Sequence, residues 1–252
     1  MKRNFLVLAT CLLMLSFMSC QPIYKAQKQM DKYNYAKAVE VLNKAVEKDK
    51  YKAEAYPMLA ECYRQQHEIT KAKEAYAQAI AQPDAKPETY LYYGKALQST
   101  GDYEKAREIF QVYSKKKPSD PRGAEYVAYC DSVLGPWKKT EPKFEAKTAG
   151  NINTTESDFG PVILNGELVF ASDFIRNPAI AKKYGWTGRG YLDIMKSGPE
   201  TPGDYWNGLK MPSEFDATLN QKYHDGPATF SADGNTIYFT RSFFGKAKRE
   251  GI

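Results

Sequence analysis

Histidine and cysteine are scarce in this sequence, and their scarcity limits the chemistry that the chain can carry. Of the 252 residues, only two are histidine, His67 and His224, and four are cysteine. Structural zinc sites need four Cys or His ligands at short spacings, and the sequence contains no such constellation. His224 and Asp225 could act as a base and its orienter, but adjacent residues of a strand point to opposite faces. We therefore interpret this pair as capping the turn at Gly226-Pro227, and the sequence predicts neither a metal site nor a catalytic histidine.

A nucleophile motif and a concentrated charge are also absent. No G-x-S-x-G elbow occurs. The formal net charge is +6, but the basic residues are interspersed with 30 acidic ones, and such a diffuse excess argues against nucleic acid as a partner. Four aspartates that might suggest calcium stand singly at predicted strand ends, where Asp commonly makes Asx turns. They are Asp158, Asp173, Asp193 and Asp233. The chain is expected to be non-enzymatic and to need no cofactor.

No apolar run reaches the roughly 20 residues that a membrane-spanning helix needs. The most apolar segment, Phe5 to Met18, is shorter and follows the basic residues Lys2 and Arg3. This order is typical of a secretory signal peptide, which we assign to residues 1–19. The segment closes at Ser19-Cys20, which resembles a bacterial lipobox. The resemblance implies that Cys20 is acylated and that the lipid attaches the chain to a membrane.

The segment from residue 20 to residue 135 repeats itself. A window that begins at Ala53 aligns with one that begins at Pro87, and a third copy lies one equal step before the first. The step is about 34 residues, which is the period of tetratricopeptide (TPR) repeats. We therefore predict an N-terminal TPR α-solenoid over residues 20–135. The recurring positions include the small residues Ala60, Gly94, Ala72 and Ala106, the large residues Tyr76 and Phe110, and, in the earlier copy, Tyr35, Ala38, Leu42 and Ala45.

One further helix is predicted to close this array. The stretch that begins at Pro121 favours a helix that ends at Gly135. Cys62 and Cys130 fall at the same depth in two first helices that are two repeats apart. Several helix spacings of about 8–10 Å then separate them, which is beyond disulfide reach, so both are expected to be unpaired packing residues.

After a linker over residues 136–150, the apolar period changes to two. Two hairpins are predicted, with turns at Asn165-Gly166 and Asp233-Gly234, and "YLDIMKS" between them is predicted to form a strand. Gly160-Pro161 in the first hairpin matches Gly226-Pro227 in the second. Self-similar hairpins are typical of β-propellers. We predict incomplete propeller blades over residues 151–252, because about 100 residues at roughly 40–45 per blade make about two blades.

The hairpin "GPATFSADGNTIYFTR" resembles the WD40-like propeller repeat of the TolB type. The longer run "WTGRGYLDIM … LNQKYHDGPATFSADGNTIYFTR", after a TPR array and a lipobox, resembles a family of Gram-negative outer-membrane lipoproteins. In that family a lipid anchor, TPR repeats and a propeller precede an OmpA-like peptidoglycan-binding domain. One branch of it is the peptidoglycan-anchoring component of type IX secretion. The OmpA-like domain is missing here, so peptidoglycan binding is expected only through a C-terminal part that follows Ile252.

The candidate binding site is the face that the first helices of the TPR pairs share. By repeat position it includes Glu61, Arg64, Lys95, Gln98 and Tyr129. These residues are interpreted either as a peptide-binding surface or as a solvated helix face. Co-chaperone TPR domains clamp a carboxylate with Lys and Asn at the fifth and ninth repeat positions. This chain has Pro57 and Glu61, then Leu91 and Lys95, at those places, which argues against such a clamp.

These observations predict a scaffold or protein-interaction protein that is lipid-anchored in the outer membrane and binds envelope proteins through the TPR groove. It is expected to face the periplasm, because "QPIYK" after Cys20 has no acidic residue. One alternative is a glycan-binding nutrient-uptake lipoprotein with Trp186 or Trp206 as its platform, although both are expected to pack in the propeller. A second is an enzyme such as a peptidase preceded by a propeller, which would require a hydrolase domain that the sequence lacks.

Overall fold

The computed structural model describes residues 21–135, 144–175, 182–205, 208–220 and 222–242. Cys20, the predicted signal peptide, linker residues 136–143, Trp206 and residues 243–252 lie outside the described residues. The chain divides into two compact units. The first, the helical unit, comprises the described residues up to 135 together with Gly185–Thr187, and the second, the β unit, comprises the others from 144 onward. None of the helices described is long and apolar enough to cross a membrane.

Seven α-helices make up the regular structure described in the helical unit, and a short 3-10 turn, Asp49–Tyr51, precedes the third of them. Consecutive helices pack against each other along the chain. The helices are α1 (Gln21–Met30), α2 (Tyr35–Val46), α3 (Lys52–Gln65), α4 (Ile69–Ile80), α5 (Pro87–Ser99), α6 (Tyr103–Lys116) and α7 (Arg122–Leu134).

The repeat period of the sequence is the spacing of the second helices of the pairs. Helices α2, α4 and α6 begin at Tyr35, Ile69 and Tyr103, which are successive steps of one full period. Local signals fix the starts of both helices of the last complete pair, and the first of them is Pro87, which opens α5 at a position that suits its fixed φ. Asp102 caps α6 by accepting a hydrogen bond from the Lys105 backbone N–H. The predicted helical repeat is therefore confirmed.

Small residues at the recurring positions allow the helices of a pair to approach closely, as predicted. Ala60, Ala72 and Ala106 are fully buried. Gly94 on α5 is required for a different reason, because a Cβ atom there would lie only 2.5 Å from Cε1 of Phe110 on α6. The Phe110 ring, itself buried, therefore fills the space that a side chain at position 94 would take.

Ala106→Leu should lower the free energy of unfolding of the helical unit by roughly 1–3 kcal/mol, because it overpacks a filled site. Ala106 lies one helical turn before Phe110, and nearest-neighbour coupling in a repeat array should spread the loss to the adjacent pairs. Urea denaturation of the full chain, followed by far-UV circular dichroism, measures it. Ala53→Leu, at an exposed position of α3, is the matched control and should change little. Equal stability of the two variants would mean that the repeat register is wrong.

The two described cysteines are buried and unpaired, as predicted. Cys62 lies on α3 and Cys130 on α7. Burial, with a smaller contribution from the Glu61 charge, raises the pKa of Cys62 to about 12. Cys62 is therefore a neutral thiol at physiological pH, which makes it a packing residue and not a nucleophile.

The described strands of the β unit form two antiparallel sheets. One has the order β1-β2-β3-β4, and the other pairs β5 with β6. The apolar core of the β unit contains Ile152, Phe170, Met195 and Leu209. The strands are β1 (Asp158–Leu164), β2 (Glu167–Ser172), β3 (Asp193–Ser197), β4 (Ser213–Glu214), β5 (Asp225–Phe230) and β6 (Ile237–Arg241).

Both predicted hairpins are present. The β1–β2 turn has Asn165 at φ 48° and Gly166 at φ 80°, and positive φ at both central residues is the requirement of a type I′ turn. Hairpin β5–β6 closes with Phe230 opposite Ile237, and Gly234 has φ 72° in the loop between them. "YLDIMKS" supplies β3, also as predicted.

The Gly-Pro pairs that matched in the sequence occupy equivalent structural positions. Each lies at a break in strand register, between Phe159 and Val162 in β1 and between Asp225 and Ala228 in β5. Gly160 and Gly226 have φ values of 65° and 109°, a region that disfavours any side chain. A β-sheet region with repeated hairpins therefore follows the helices. The two sheets of described strands are not closed, so they do not establish a propeller.

Candidate peptide-binding face

The structure brings the five predicted site residues onto three neighbouring helices. Glu61 and Arg64 lie on α3, Lys95 and Gln98 on α5, and Tyr129 on α7. We call the surface that these three helices share the first-helix face.

Side chains join the three helices directly. The Arg64 guanidinium of α3 lies 4.9 Å from the centroid of the Tyr92 ring of α5. Lys95 Nζ of α5 lies 5.8 Å from the centroid of the Tyr126 ring of α7. These cation–π contacts make the face continuous across the last two repeat junctions.

Glu61 and Arg64 satisfy each other. Arg64 Nε donates to Glu61 Oε2 at 2.8 Å and Arg64 Nη2 donates to Oε1 at 2.5 Å. Gln65 and Tyr76 donate to the same carboxylate at 2.7 and 3.4 Å. Burial tends to raise the pKa of Glu61, but hydrogen bonds from Arg64, Gln65 and Tyr76 outweigh it and hold that pKa below its usual value. The pair is thus a fixed, charged part of the face, and a spacing of three residues on a helix permits such a pair.

Lys95 and Tyr129 are the accessible members of the face. Lys95 is exposed, and within the described part of the chain no ion pair involves it. Tyr129 keeps 45% of its surface exposed. Gln98 Nε2 lies 3.4 Å from Cys130 Sγ, which is a weak acceptor. A partner can therefore reach one cation, one phenol and one amide on this face.

A pocket of about 350 Å³ opens beside Tyr129. Five residues line it: Gln98, Ser99, Tyr103, Tyr126 and Tyr129. The Tyr103 and Tyr129 ring centroids are 6.4 Å apart, and Tyr126 stacks on Phe110 at 4.8 Å. We name it the tyrosine pocket. Sequence reasoning missed Tyr103 and Tyr126, although the recurrence of Tyr35 as Tyr103 after two periods could have indicated the first.

Trp186 is packed in the helical unit, so the expectation that it packs among propeller blades was wrong. Its ring stacks on Tyr33 with centroids 5.6 Å apart and meets Tyr35 edge-on at 5.1 Å. The indole Nε1–H donates to the Gln65 backbone oxygen at 2.7 Å. These partners explain the placement, because they provide both ring contacts and an acceptor for the polar tip. One face of the indole is therefore covered.

His224 and Asp225, which the sequence predicts to cap the turn at Gly226-Pro227, each bind another part of the β unit. His224 Nδ1 accepts a hydrogen bond from the Leu192 backbone N–H at 3.0 Å. Asp225 is buried and pairs with Arg241 Nε at 2.5 Å. The two side chains thus have separate structural partners, in place of a base and its orienter.

Two of the predicted Asx-type aspartates bind local backbone or hydroxyl groups. Asp233 accepts from the Asn235 backbone N–H at 3.1 Å, which is an Asx turn. Asp158 accepts from the Thr154 backbone N–H at 2.9 Å and from Ser172 Oγ at 2.7 Å. Among the residues described, no cluster of three or more His, Cys, Asp or Glu could hold a metal ion.

Asp193 has an unusual environment. Burial, followed by the nearby charges of Glu214 and Asp225, raises the pKa of Asp193 to about 6. An unfolded chain releases this proton near its ordinary value of 3.8. The folded state therefore binds the proton more tightly, and its stability falls as the pH rises from about 4 to about 6.

Asp193→Asn should remove this loss. At neutral pH we expect the opening free energy of β2 and β3 to rise by on the order of 1 kcal/mol, a value discounted because the carboxyl is partly exposed. At about pH 4 the variant and the original chain should agree. Hydrogen exchange of the strand amides, read by mass spectrometry, measures the difference. If the variant and the original chain differed by the same opening free energy at both pH values, the pH dependence would not arise from the Asp193 carboxyl.

Residues 64–128 match the tetratricopeptide repeat family. The match covers less than half of the chain, and it places TPR repeats in the helical unit. No curated protein sequence matches the chain.

Several solved structures are similar to part of the chain. The crystal structure of MamA is 27% identical over 44% of this chain and 64% of that one, with a TM-score of 0.41. YrrB, described as a TPR protein with an unusual peptide-binding site, is 18% identical over 47% of this chain and 61% of its own, with a TM-score of 0.43. A TPR repeat-containing protein from Cytophaga hutchinsonii, solved as its C-terminal part, is 24% identical over 46% of each chain, with a TM-score of 0.39. The chain thus spans less than two thirds of these three structures.

Proposed function

We propose that this chain is a lipid-anchored protein of the cell envelope that holds a partner protein against its first-helix face. The observation that carries the proposal is the continuity of that face across α3, α5 and α7, in repeats that match the TPR family. Stacked helical repeats offer extended surfaces to partner chains. The ligand is therefore an extended segment of another protein.

The chemistry of the face favours a particular kind of segment. The charges of Glu61 and Arg64 cancel within the face, which leaves Lys95 as an accessible cation beside the tyrosine rings. Rigid aromatic side chains contribute large contact areas at low entropic cost. An acidic or polar group opposite Lys95, next to apolar side chains at the rings, fits this pattern.

The β unit, in this proposal, contributes two incomplete blades of a WD40-like propeller and offers a second binding surface. The propeller part of the proposal is supported by the repetition of the hairpin, because β1 and β5 both contain a Gly-Pro pair at a break in strand register. A role as a secretion-system component rests on the family resemblance alone.

The location at the outer membrane is part of the proposal and rests on the sequence around Cys20. Cys20→Ser should leave the chain without lipid and move it from the membrane fraction to the soluble fraction, because the acyl chains contribute about 0.8 kcal/mol per buried CH₂. Cys11→Ser is the matched control, since Cys11 is predicted to leave with the signal peptide. If the Cys20 variant still sedimented with membranes after a carbonate wash, lipid at this residue would not be the anchor.

Affinity capture with matched charge reversals tests the binding function. Full-length acylated protein is compared with Lys95→Glu on the first-helix face and with Glu108→Lys at an exposed position of α6. We expect a partner that the original chain and the Glu108 variant retain and the Lys95 variant loses. Equal retention by both variants would overturn the proposed face.

A further inference from the structure

The helical unit already binds an aromatic segment of its own chain. The Trp186 ring stacks on Tyr33 and meets Tyr35 edge-on, and its N–H donates to the Gln65 backbone oxygen. The backbone around it is held as well. The Ala36 N–H donates to the Gly185 oxygen at 3.1 Å, and Gln66 Nε2 donates to the Trp186 oxygen at 2.9 Å. Gly185–Thr187, which forms a turn, is thus bound by its main chain and by one anchoring side chain.

The position beside Tyr35 where Trp186 binds, which we call the first position, has an equivalent two repeats later, which we call the second position. Tyr35 is the first residue of α2, and Tyr103 is the first residue of α6. The two are separated by two repeat periods, whereas the intervening pair has Ile69 at the same place. Gln65, whose carbonyl accepts the indole proton, has Val133 in the last turn of α7 as its counterpart. Carbonyls of a last turn have no partner within their helix.

At the second position the ring that corresponds to Tyr35 is accessible. Tyr103 lines the tyrosine pocket together with Tyr126 and Tyr129. The counterpart of Tyr33 is Gly101, so the ring that stacks on Trp186 at the first position is missing at the second. Tyr129, whose ring centroid is 6.4 Å from that of Tyr103, supplies a second ring in its place. Gln98 and Ser99 give the pocket a polar rim.

We infer that the tyrosine pocket binds a tryptophan side chain of a partner protein, in the manner of Trp186 beside Tyr35. The inference rests on the proposed function and names the anchor of the ligand. A pocket of about 350 Å³ accommodates an indole ring. Tyrosine rings at tilted angles provide the edge-to-face and offset contacts that aromatic pairs prefer.

A synthetic peptide that copies residues 182–190 of this chain, labelled with fluorescein, is the probe. Its binding to the full chain is followed by fluorescence anisotropy, beside a peptide with alanine in place of the tryptophan. Tyr103→Ile is the principal variant, because it installs the residue that the middle pair carries. Tyr129→Ala is the second, at a half-exposed position where folding is little affected. Tyr24→Ile, at an exposed position of α1, is the matched control.

We expect the tryptophan peptide to bind the original chain and the Tyr24 variant equally, and both pocket variants about ten-fold more weakly. The alanine peptide should lose affinity to a similar extent. Trp186→Ala should add a second site for the indole of the peptide, because it removes the ring that contacts Tyr33 and Tyr35. Unchanged affinity in both pocket variants, or equal binding of the two peptides, would overturn the inference.

The failure of this inference and the failure of the proposed function have different signatures. If the peptide bound Trp186→Ala but not the original chain, the tyrosine pocket would not accept an aromatic side chain, and the inference would be wrong. Retention of a partner that depends on Lys95 would still support the first-helix face in that case. Loss of that dependence, with the peptide still bound at Tyr103, would contradict the proposed function alone.

Discussion

Phe110→Ala should lower the free energy of unfolding of the helical unit by about 3–5 kcal/mol, the cost of removing a buried aromatic ring and leaving a cavity. The ring is completely buried, stacks on Tyr126 and lies where Gly94 has no side chain. Urea denaturation of the full chain, followed by far-UV circular dichroism, measures the loss.

The exposed Phe144, with 89% of its surface accessible, provides the matched control. Phe144→Ala removes the same ring without creating a cavity, so stability should stay within about 0.5 kcal/mol of the original. A loss of similar size in both variants would contradict the placement of Phe110 at the centre of the helical unit.

Arg241→Leu should destabilise the β unit by about 3 kcal/mol, because it leaves the buried Asp225 carboxylate without its cation. Asp225 is 1% exposed, and Arg241 Nε donates to it at 2.5 Å while Arg241 also donates to the Leu219 backbone oxygen. Hydrogen exchange of the β5 and β6 amides measures the change.

The matched control is Lys196→Leu, which breaks a half-exposed ion pair with Glu167 in the same unit. Exposed pairs contribute about 0–1 kcal/mol, so this variant should lose little. Adding Asp225→Asn to the Arg241 variant should recover part of the loss, since the buried charge disappears. If the two single variants lost equal stability, the buried pair would not be the stronger one.

The helical unit could be predicted from the sequence because its contacts are local and periodic. Tyr35, Ala38, Leu42 and Ala45 recur at one spacing, and each helix pair buries them against the next. The hairpins were equally predictable, since Asn165-Gly166 allows the positive φ values that a tight turn requires. In both cases the residues that determine the structure form a pattern that can be read directly from the sequence.

The parts that the sequence did not predict depend on distant partners. Trp186 finds its acceptor 121 residues away at Gln65, and no periodic pattern indicates such a contact. Asp225 finds its cation 16 residues on, in the opposite strand. The candidate face was predicted as a set of positions, but the mutual pairing of Glu61 and Arg64 depends on rotamers that spacing alone does not fix. The tyrosine pocket combines residues of α5, α6 and α7, and its rings come from the last two of these helices.

Site-specific photocrosslinking in living cells tests whether the first-helix face contacts a partner protein. A benzophenone amino acid replaces Lys95 on the face or Glu108 at an exposed position of α6, and the cells produce the full chain. We expect a discrete protein adduct from position 95 and none from position 108. No adduct from position 95, or adducts of equal yield from both positions, would contradict the proposed contact.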